Sequence, residues 1–250
     1  MLVIIGLIIG GILVGQDLIK AAELSSQISQ INRYVAASAT FQTKYSVLAG
    51  DMPGSLAAQN DFVARAGSQG RGDGNGVIEG YDYSGNVVWN VSFLGEPSFF
   101  WEDLTSSALT DQGLSTAIDA QAPVACCAIN DPSPYIPRAK LNGMYLQVFS
   151  LNGLNYFSLA RVTQLVGNNG DRTAGPGLSV LQASSIDSKI DDGAPASGKV
   201  QTLYYTNPAL VSSPNAASAN SSTCFDTTTY QYSIAVNGGR GVNCALSIQF

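Results

Sequence analysis

The first side chains in this sequence that could do chemistry lie in one glycine-rich stretch. Arg71 to Glu79 reads RGDGNGVIE, and Asp73, Asn75 and Glu79 are oxygen ligands that could gather round a calcium ion. With Asp73 as the first ligand of an EF-hand loop, Val77 stands where a third ligand belongs. The spacing of that motif is therefore not met, and a glycine-rich turn is the simpler reading. The embedded Arg71, Gly72, Asp73 triplet matches a cell-surface recognition signal, but three residues carry almost no specificity. A second acidic group, Asp187, Asp191 and Asp192, could supply paired carboxylates for glycoside hydrolysis or a metal. Asp187 and Asp191 stand one helical turn apart, yet Lys189 and Gly193 beside them fit a solvated helix end. No second acidic cluster completes a catalytic pair, so no catalytic residue is expected.

The four cysteines are Cys126, Cys127, Cys224 and Cys244, and none forms the C-x-x-C pair of metal and redox sites. In an exported chain, Cys224 and Cys244 would close a loop near the C-terminus, worth on the order of 3 kcal/mol. Cys126 and Cys127 could form a strained vicinal ring, or one of them could compete for a C-terminal cysteine, so the pairing stays open. There is no histidine, which removes Ser/His/Asp and Cys/His triads, His-ligated zinc or haem, and the commonest general acid-base at neutral pH. The glycine-rich stretches, Gly238 to Gly241 among them, lack the lysine of a P-loop and the spacing of a dinucleotide fingerprint. No cofactor other than calcium is suggested.

These groups must be positioned by a chain of 250 residues whose 45% hydrophobic content suffices for a sizeable core. Only 12% of residues are charged, and Gly, Ser, Ala, Asn and Thr abound, a bias common in secreted surface proteins. A net charge of -6 with scattered Lys20, Arg33, Lys44 and Arg65 offers no basic patch for phosphates, so nucleic acid is not an expected partner.

From Met1 to Gly15 the chain is wholly apolar or glycine, MLVIIGLIIGGILVG, and the first polar side chains are Gln16 and Asp17. The run falls short of the roughly 20 apolar residues that cross a bilayer as a helix, and it lacks the basic flank and cleavage site of a secretory signal. Beyond it, Leu24, Ile28, Ile31 and Val35 recur at helical spacing, with Tyr34, Phe41, Tyr45 and Leu48 on a neighbouring stripe. Gly50, Asp51 and Pro53 supply a stop, which predicts one helix of roughly 48 residues, about 70 Å long. Apolar all round at first and one-sided later, it implies two surroundings: lipid or other helices, then a head domain. Gly6, Gly10 and Gly11 place small faces where a second helix could pack closely.

The segment VIIGLIIGGILVGQDLIKAAEL, followed by FQTKYSVLAGDMPG, resembles the N-terminal region of bacterial type IV pilin-like proteins, including the pseudopilins of type II secretion. YIPRAKLNG (Tyr135 to Gly143), IDSKIDDGAPASGKV (Ile186 to Val200) and the C-terminal cysteine pair look like one subgroup of that family. The resemblance implies a structural subunit of a type IV pilus-like or type II secretion pseudopilus filament, not an enzyme. It would be anchored in the bacterial inner membrane with a periplasmic head, then built into a periplasmic or extracellular filament. Its partners would be copies of itself or other pilin-like subunits, met through Leu2, Ile5, Gly6, Ile9, Gly10 and Leu13. Some pseudopilins bind calcium in the head, which adds weight to Asp73, Asn75 and Glu79. Family members also begin with a basic leader, a glycine cleavage site, an N-methylated aromatic residue and a glutamate. None of these is found here, so the resemblance implies further mature residues ahead of Met1. Many pilins also carry a proline just after the apolar segment, where this sequence has Val14 and Gly15. The rival from another class is a membrane-tethered periplasmic or surface binding module.

The expected fold is α+β and pilin-like, residues 1–48 forming the membrane and assembly helix and 49–250 a β-rich head with an antiparallel sheet. Within the head, Ser55 is expected to cap a helix over Leu56 to Ala66, and a second helix to follow Pro97 with Phe99, Phe100, Trp101 and Leu104 in the core. Met144 to Leu151 and Asn155 to Thr163 read as a hairpin turning at Asn152, Gly153 and Leu154. Val200 to Thr206 and Tyr230 to Val236 read as further strands. Val180 to Ile190 reads as a helix capped by Ser179 and ended at Gly193. Pro208 to Thr223 is expected to be a mobile surface loop.

Overall fold

With no proline before Pro53 to interrupt it, the N-terminal sequence forms a single helix, α1 (Leu2–Tyr45). The computed structural model describes residues 2–81, 87–88, 94–114, 128–166, 171–206 and 209–250, and their side chains except at 2–9, 81, 87–88, 128–129, 166, 171 and 209–211. After α1 come α2 (Gly54–Gln59), β1 (Gly80–Tyr81), β2 (Val87–Val88), α3 (Glu96–Ser106), β3 (Ala128–Ile129), β4 (Tyr145–Leu151), β5 (Leu154–Val166) and β6 (Asp171–Gly175). Then follow α4 (Val180–Ile190), β7 (Val200–Gln201), β8 (Leu203–Thr206), β9 (Ala209–Ser212), β10 (Asn215–Ala216), β11 (Phe225–Asp226), β12 (Gln231–Tyr232) and β13 (Leu246–Gln249). The class is α+β, a long N-terminal helix with an antiparallel main sheet.

β5 is the axis of that sheet. Its first half pairs with β4, Leu151 opposite Leu154 through Tyr145 opposite Ala160, and with β13, which in turn pairs with β7. Its second half pairs with β3 and β6, with a bulge between Val162 and Gln164. Asn152 (φ 52) and Gly153 (φ 78) make the two-residue turn between β4 and β5, both left-handed as a type I′ hairpin requires. Leu154 therefore belongs to the strand and not to the turn.

The second half of α1 closes one side of the core. Leu24, Gln27, Gln30, Ile31, Tyr34, Ala37, Ser38 and Phe41 are buried, steps of three and four that trace one helical face, with Ile28, Val35 and Tyr45 half-buried at its edges. Tyr34 meets Trp101 of α3 edge-on at 5.0 Å and Phe157 of β5 at 6.3 Å. The two buried glutamines join this face to the chain before β4. Gln30 Nε2 donates to the Arg138 carbonyl (2.8 Å), and the Lys140 and Leu141 amides donate to Gln27 Oε1 (2.8 and 3.2 Å).

Several boundaries differ from the sequence reading. α1 ends at Tyr45, where Ser46 turns left-handed (φ 62) with its N–H on the Gln42 carbonyl (2.8 Å). Gly50 is instead a packing residue: φ is 87, and a Cβ there would meet the Glu96 carbonyl oxygen at 2.5 Å. Helix α2 starts at Gly54 behind Pro53, has no side-chain cap, and stops before Asp61 turns left-handed (φ 58), so Ser55 lies inside it. Between Val200 and Thr206 the chain leaves the sheet at Thr202, whose N–H and hydroxyl both go to the Pro195 carbonyl. Of Tyr230 to Val236 only Gln231–Tyr232 is extended, Tyr230 being left-handed (φ 52). The segment after residue 208 is not one loop. β9 pairs with β8, β10 with β11, and buried Ser213 accepts the Ala245 N–H (2.7 Å) and donates to the Ala245 carbonyl (3.0 Å).

Candidate functional site

Two features stand out from the packing: the free end of α1 and a nest of carboxylates where α1 meets the head. Along α1 the described side chains ahead of Leu24 are bare. From Gly10 to Glu23 no residue is buried, and Ile12, Leu13, Val14, Leu18 and Ile19 are 55 to 67% exposed. A Cβ placed on Gly10, Gly11 or Gly15 would meet nothing within 4 Å, so among the described residues these glycines serve no packing contact and leave room for another helix. Leu2, Ile5, Gly6 and Ile9 lie on the same helix, their side chains outside the description. Among the described residues, no helix is long and apolar enough to cross a membrane.

The carboxylates gather where the chain following α1, the 67–80 loop and α3 converge. A wholly buried pair fixes the floor: Arg65 holds Asp103 through both terminal guanidinium nitrogens (2.9 and 2.6 Å), lies over the Phe99 ring, and the Gly50 N–H joins Asp103 at 2.7 Å. That contact delivers Asp51, 1% exposed, whose two oxygens accept the Gly74 and Gly76 N–H groups at 2.7 and 2.6 Å. Glu96, the fully buried first residue of α3, accepts the Gly72 and Glu79 N–H groups at 2.9 and 2.7 Å. Left-handed Gly72 (φ 81), Gly74 (φ 80) and Gly76 (φ 86) let the loop turn its amides inward. One oxygen from each of Asp51, Asp73 and Glu96 lies within 4.8 Å of the others. Burial pushes the Asp51 carboxyl up to about 7, although the two amides oppose it and Asp73 assists. Glu96 is pushed up to about 9, by burial first and by the charges of Asp51 and Asp73. Burial and the charge of Asp73 raise Glu79 as well.

The structure thus divides the three residues singled out in this loop. Asp73 joins the cluster. Asn75 closes the turn, its N–H and Nδ2 on Asp73 (both 3.2 Å) and its Oδ1 on the Val77 N–H (2.7 Å). Glu79 is buried, and its Oε2 has no hydrogen-bond partner among the described residues. Asp51 and Glu96 were missed, since only folding brings them to Asp73. The available signal was an acid amid apolar residues on one side and an acid between Gly95 and Pro97 on the other.

Asp187, Asp191 and Asp192 also lie together, but their hydrogen bonds shape the turn after α4. Asp187 accepts Tyr232 Oη (2.8 Å) and the Gly193 N–H (3.0 Å), and burial pushes its carboxyl up to about 6. Asp191 accepts the Lys199 and Val200 N–H groups, and Asp192 accepts the Ala194 N–H and Ser197 Oγ. Cys224 and Cys244 form a disulfide with Cα atoms 5.2 Å apart, both cysteines fully buried. Cys126 and Cys127 lie outside the described residues. In comparisons with known proteins, the chain matches no family model, no curated protein and no solved structure.

Proposed function

We propose that this protein is a non-catalytic structural subunit of a type IV pilus-like or type II secretion pseudopilus filament, with a pilin-like fold. The observation that carries the reading is the asymmetry of α1, its rear half fastened into the head and its described residues from Gly10 to Ile19 largely apolar, glycine-bearing and bare. Covering Ile12, Leu13, Val14, Leu18 and Ile19 would contribute roughly 5 to 9 kcal/mol in water. Before assembly the helix lies in the inner membrane with the head in the periplasm. In the filament its cover is the same helix of neighbouring copies or of other pilin-like subunits. Moving from lipid to protein gains little hydrophobic energy, so close helix contact at the glycines provides the specificity. The Cys224–Cys244 disulfide agrees with the oxidising compartment that this route crosses.

The test is electron microscopy of filaments sheared from cells expressing the gene at its natural locus, with mass spectrometry of the subunit. Filaments that contain this chain, and that vanish in a Leu13→Asp variant whose head still folds, are expected. A chain that stays monomeric in the membrane beside a working assembly system would overturn the reading in favour of a membrane-tethered binding module.

A further inference from the structure

The tip of the turn between β11 and β12 carries an inference that stands apart from the filament reading. Thr227 to Tyr230 make the turn, and Tyr230 closes it with a left-handed backbone (φ 52) and a side chain 61% exposed. Glycine or asparagine is the ordinary occupant of such a position, since a Cβ crowds the backbone there and a bulky side chain makes it an outlier. The chain thus accepts strain in order to hold a large aromatic ring out in water, where it gains little for folding. We propose that Tyr230 is the contact residue of a glycan-binding surface, on which one ring of a neutral glycan stacks its C–H face against the phenol.

The turn is built to keep that ring in place. Asp226 Oδ1 accepts the Thr228 and Thr229 N–H groups (2.7 and 3.0 Å), Oδ2 accepts the Ala219 N–H (3.2 Å), and Thr228 Oγ1 donates to the Ala217 carbonyl (2.6 Å). Beneath it the Ser233 N–H bonds the Cys224 carbonyl (2.9 Å), which ties the base of the turn to the buried disulfide. A ring fixed in advance loses little freedom on binding.

Size and chemistry select the partner. With 61% of it exposed, a tyrosine offers roughly 90 to 150 Å², enough for one sugar ring and far below the roughly 800 Å² per side of a stable protein interface. In the turn and in the 217–220 segment bonded to it, Thr228, Thr229, Gln231, Ser218 and Asn220 are exposed, polar and uncharged. Asp226, the one charged residue from Ala217 to Gly239, is occupied by the turn amides. Protein contacts gather several aromatic and arginine anchors in a desolvated patch. A lone ring among hydroxyls and amides instead complements a ligand with one apolar face and a rim of hydroxyls, and its negative π face attracts the polarised C–H groups of that sugar face.

The test is NMR on the full chain in phosphocholine micelles, whose headgroups carry no sugar, titrated in turn with cellotetraose, chitotetraose and β-1,4-galactotetraose. At least one should shift the Tyr230 ring protons and receive saturation from them. Tyr230→Gly should lower that affinity about tenfold or more, while its Tm equals or exceeds that of the unaltered protein because the strain is relieved. Tyr230→Phe keeps the ring and should bind within about threefold. Binding undiminished in Tyr230→Gly, or no response of the ring to any of these sugars, would overturn the proposal. So would photo-crosslinking from position 230 in intact cells that captures a protein chain and no glycan, since the ring would then be a protein contact.

Discussion

Asp103 offers the sharpest test of how the head is held to α1. Its side chain and that of Arg65 are 0% exposed, joined by two hydrogen bonds of 2.9 and 2.6 Å, and Asp103 also receives the Gly50 N–H. Asp103→Ala would leave a guanidinium and an amide buried without their acceptor. Breaking one side of a buried ion pair costs about 3 to 5 kcal/mol, and the stranded amide adds about 1 kcal/mol. At 2 to 4 °C per kcal/mol for a chain of this size, a loss of about 4 to 6 kcal/mol lowers Tm by roughly 8 to 24 °C. The Arg65→Met/Asp103→Leu double variant removes both charges while keeping apolar bulk over Phe99, and should recover most of that loss. Thermal melting by far-UV circular dichroism, with urea unfolding as a second measure, reads both. A Tm for Asp103→Ala within about 3 °C of the unaltered protein, or a double variant no better than the single one, would refute the argument that stranded charge sets the cost.

Three further outcomes are expected. Reducing the Cys224–Cys244 bond, or replacing both residues with alanine, frees a loop spanning 20 positions and should cost about 3 kcal/mol in urea unfolding, with the midpoint insensitive to reductant in the variant. Phe41→Ala empties a fully buried site between Tyr45 and Phe62 and should destabilise by about 3 to 5 kcal/mol; a smaller loss than Ile28→Ala at the helix edge would contradict the packing. Asp187 is an ordinary carboxyl in the unfolded chain (3.8) and is pushed up to about 6 when folded, facing Tyr232, Asp191 and Asp192. Between those values the folded state holds a proton that the unfolded chain has released, so this contribution is full below about pH 4 and is lost as pH rises through about 6. Asp187→Asn should therefore gain on the unaltered protein in melts run from pH 4 to 7, and a Tm difference constant with pH would contradict it.

The parts legible in the sequence are those whose cause is local. Helix α4 follows from Ser179 and Gln182, which form a reciprocal capping box (2.9 and 3.2 Å), and from Gly193 with φ 76 beyond its end. Helix α3 and its buried Phe99, Phe100, Trp101 and Leu104 followed from the aromatic run after Pro97. The β4–β5 turn followed from Asn152 and Gly153. What escaped depends on distant partners. Gln27 and Gln30 lie outside the apolar stripes of α1 that the sequence shows, yet both are buried, because the chain at residues 138–141 brings amides and a carbonyl to them. Asp51 reads as part of a helix stop, and its role appears only when the 67–80 loop folds over it. The two-residue strands β10, β11 and β12 carry too few residues for alternation to show, and the neighbouring disulfide holds them in place.

The polar contacts along α1 also bear on how such a helix can work. A purely apolar rear face could slide or rotate by a residue at modest cost, since oil-like contacts are weakly directional. The bonds from Gln27 and Gln30 to residues 138–141 fix its rotation, and the Gly50 contact with Asp103 anchors the chain five residues beyond its end. With both fixed, the free apolar side chains from Ile12 to Ile19 stand in one orientation relative to the head. Any neighbour that covers them therefore sets the position of the head as well, and a pull on α1 reaches β4 and α3 through directional bonds. Gln27→Leu/Gln30→Leu should accordingly disturb the register of the head on the helix more than it disturbs stability, because apolar side chains still fill the face while the amides that chose its rotation are gone.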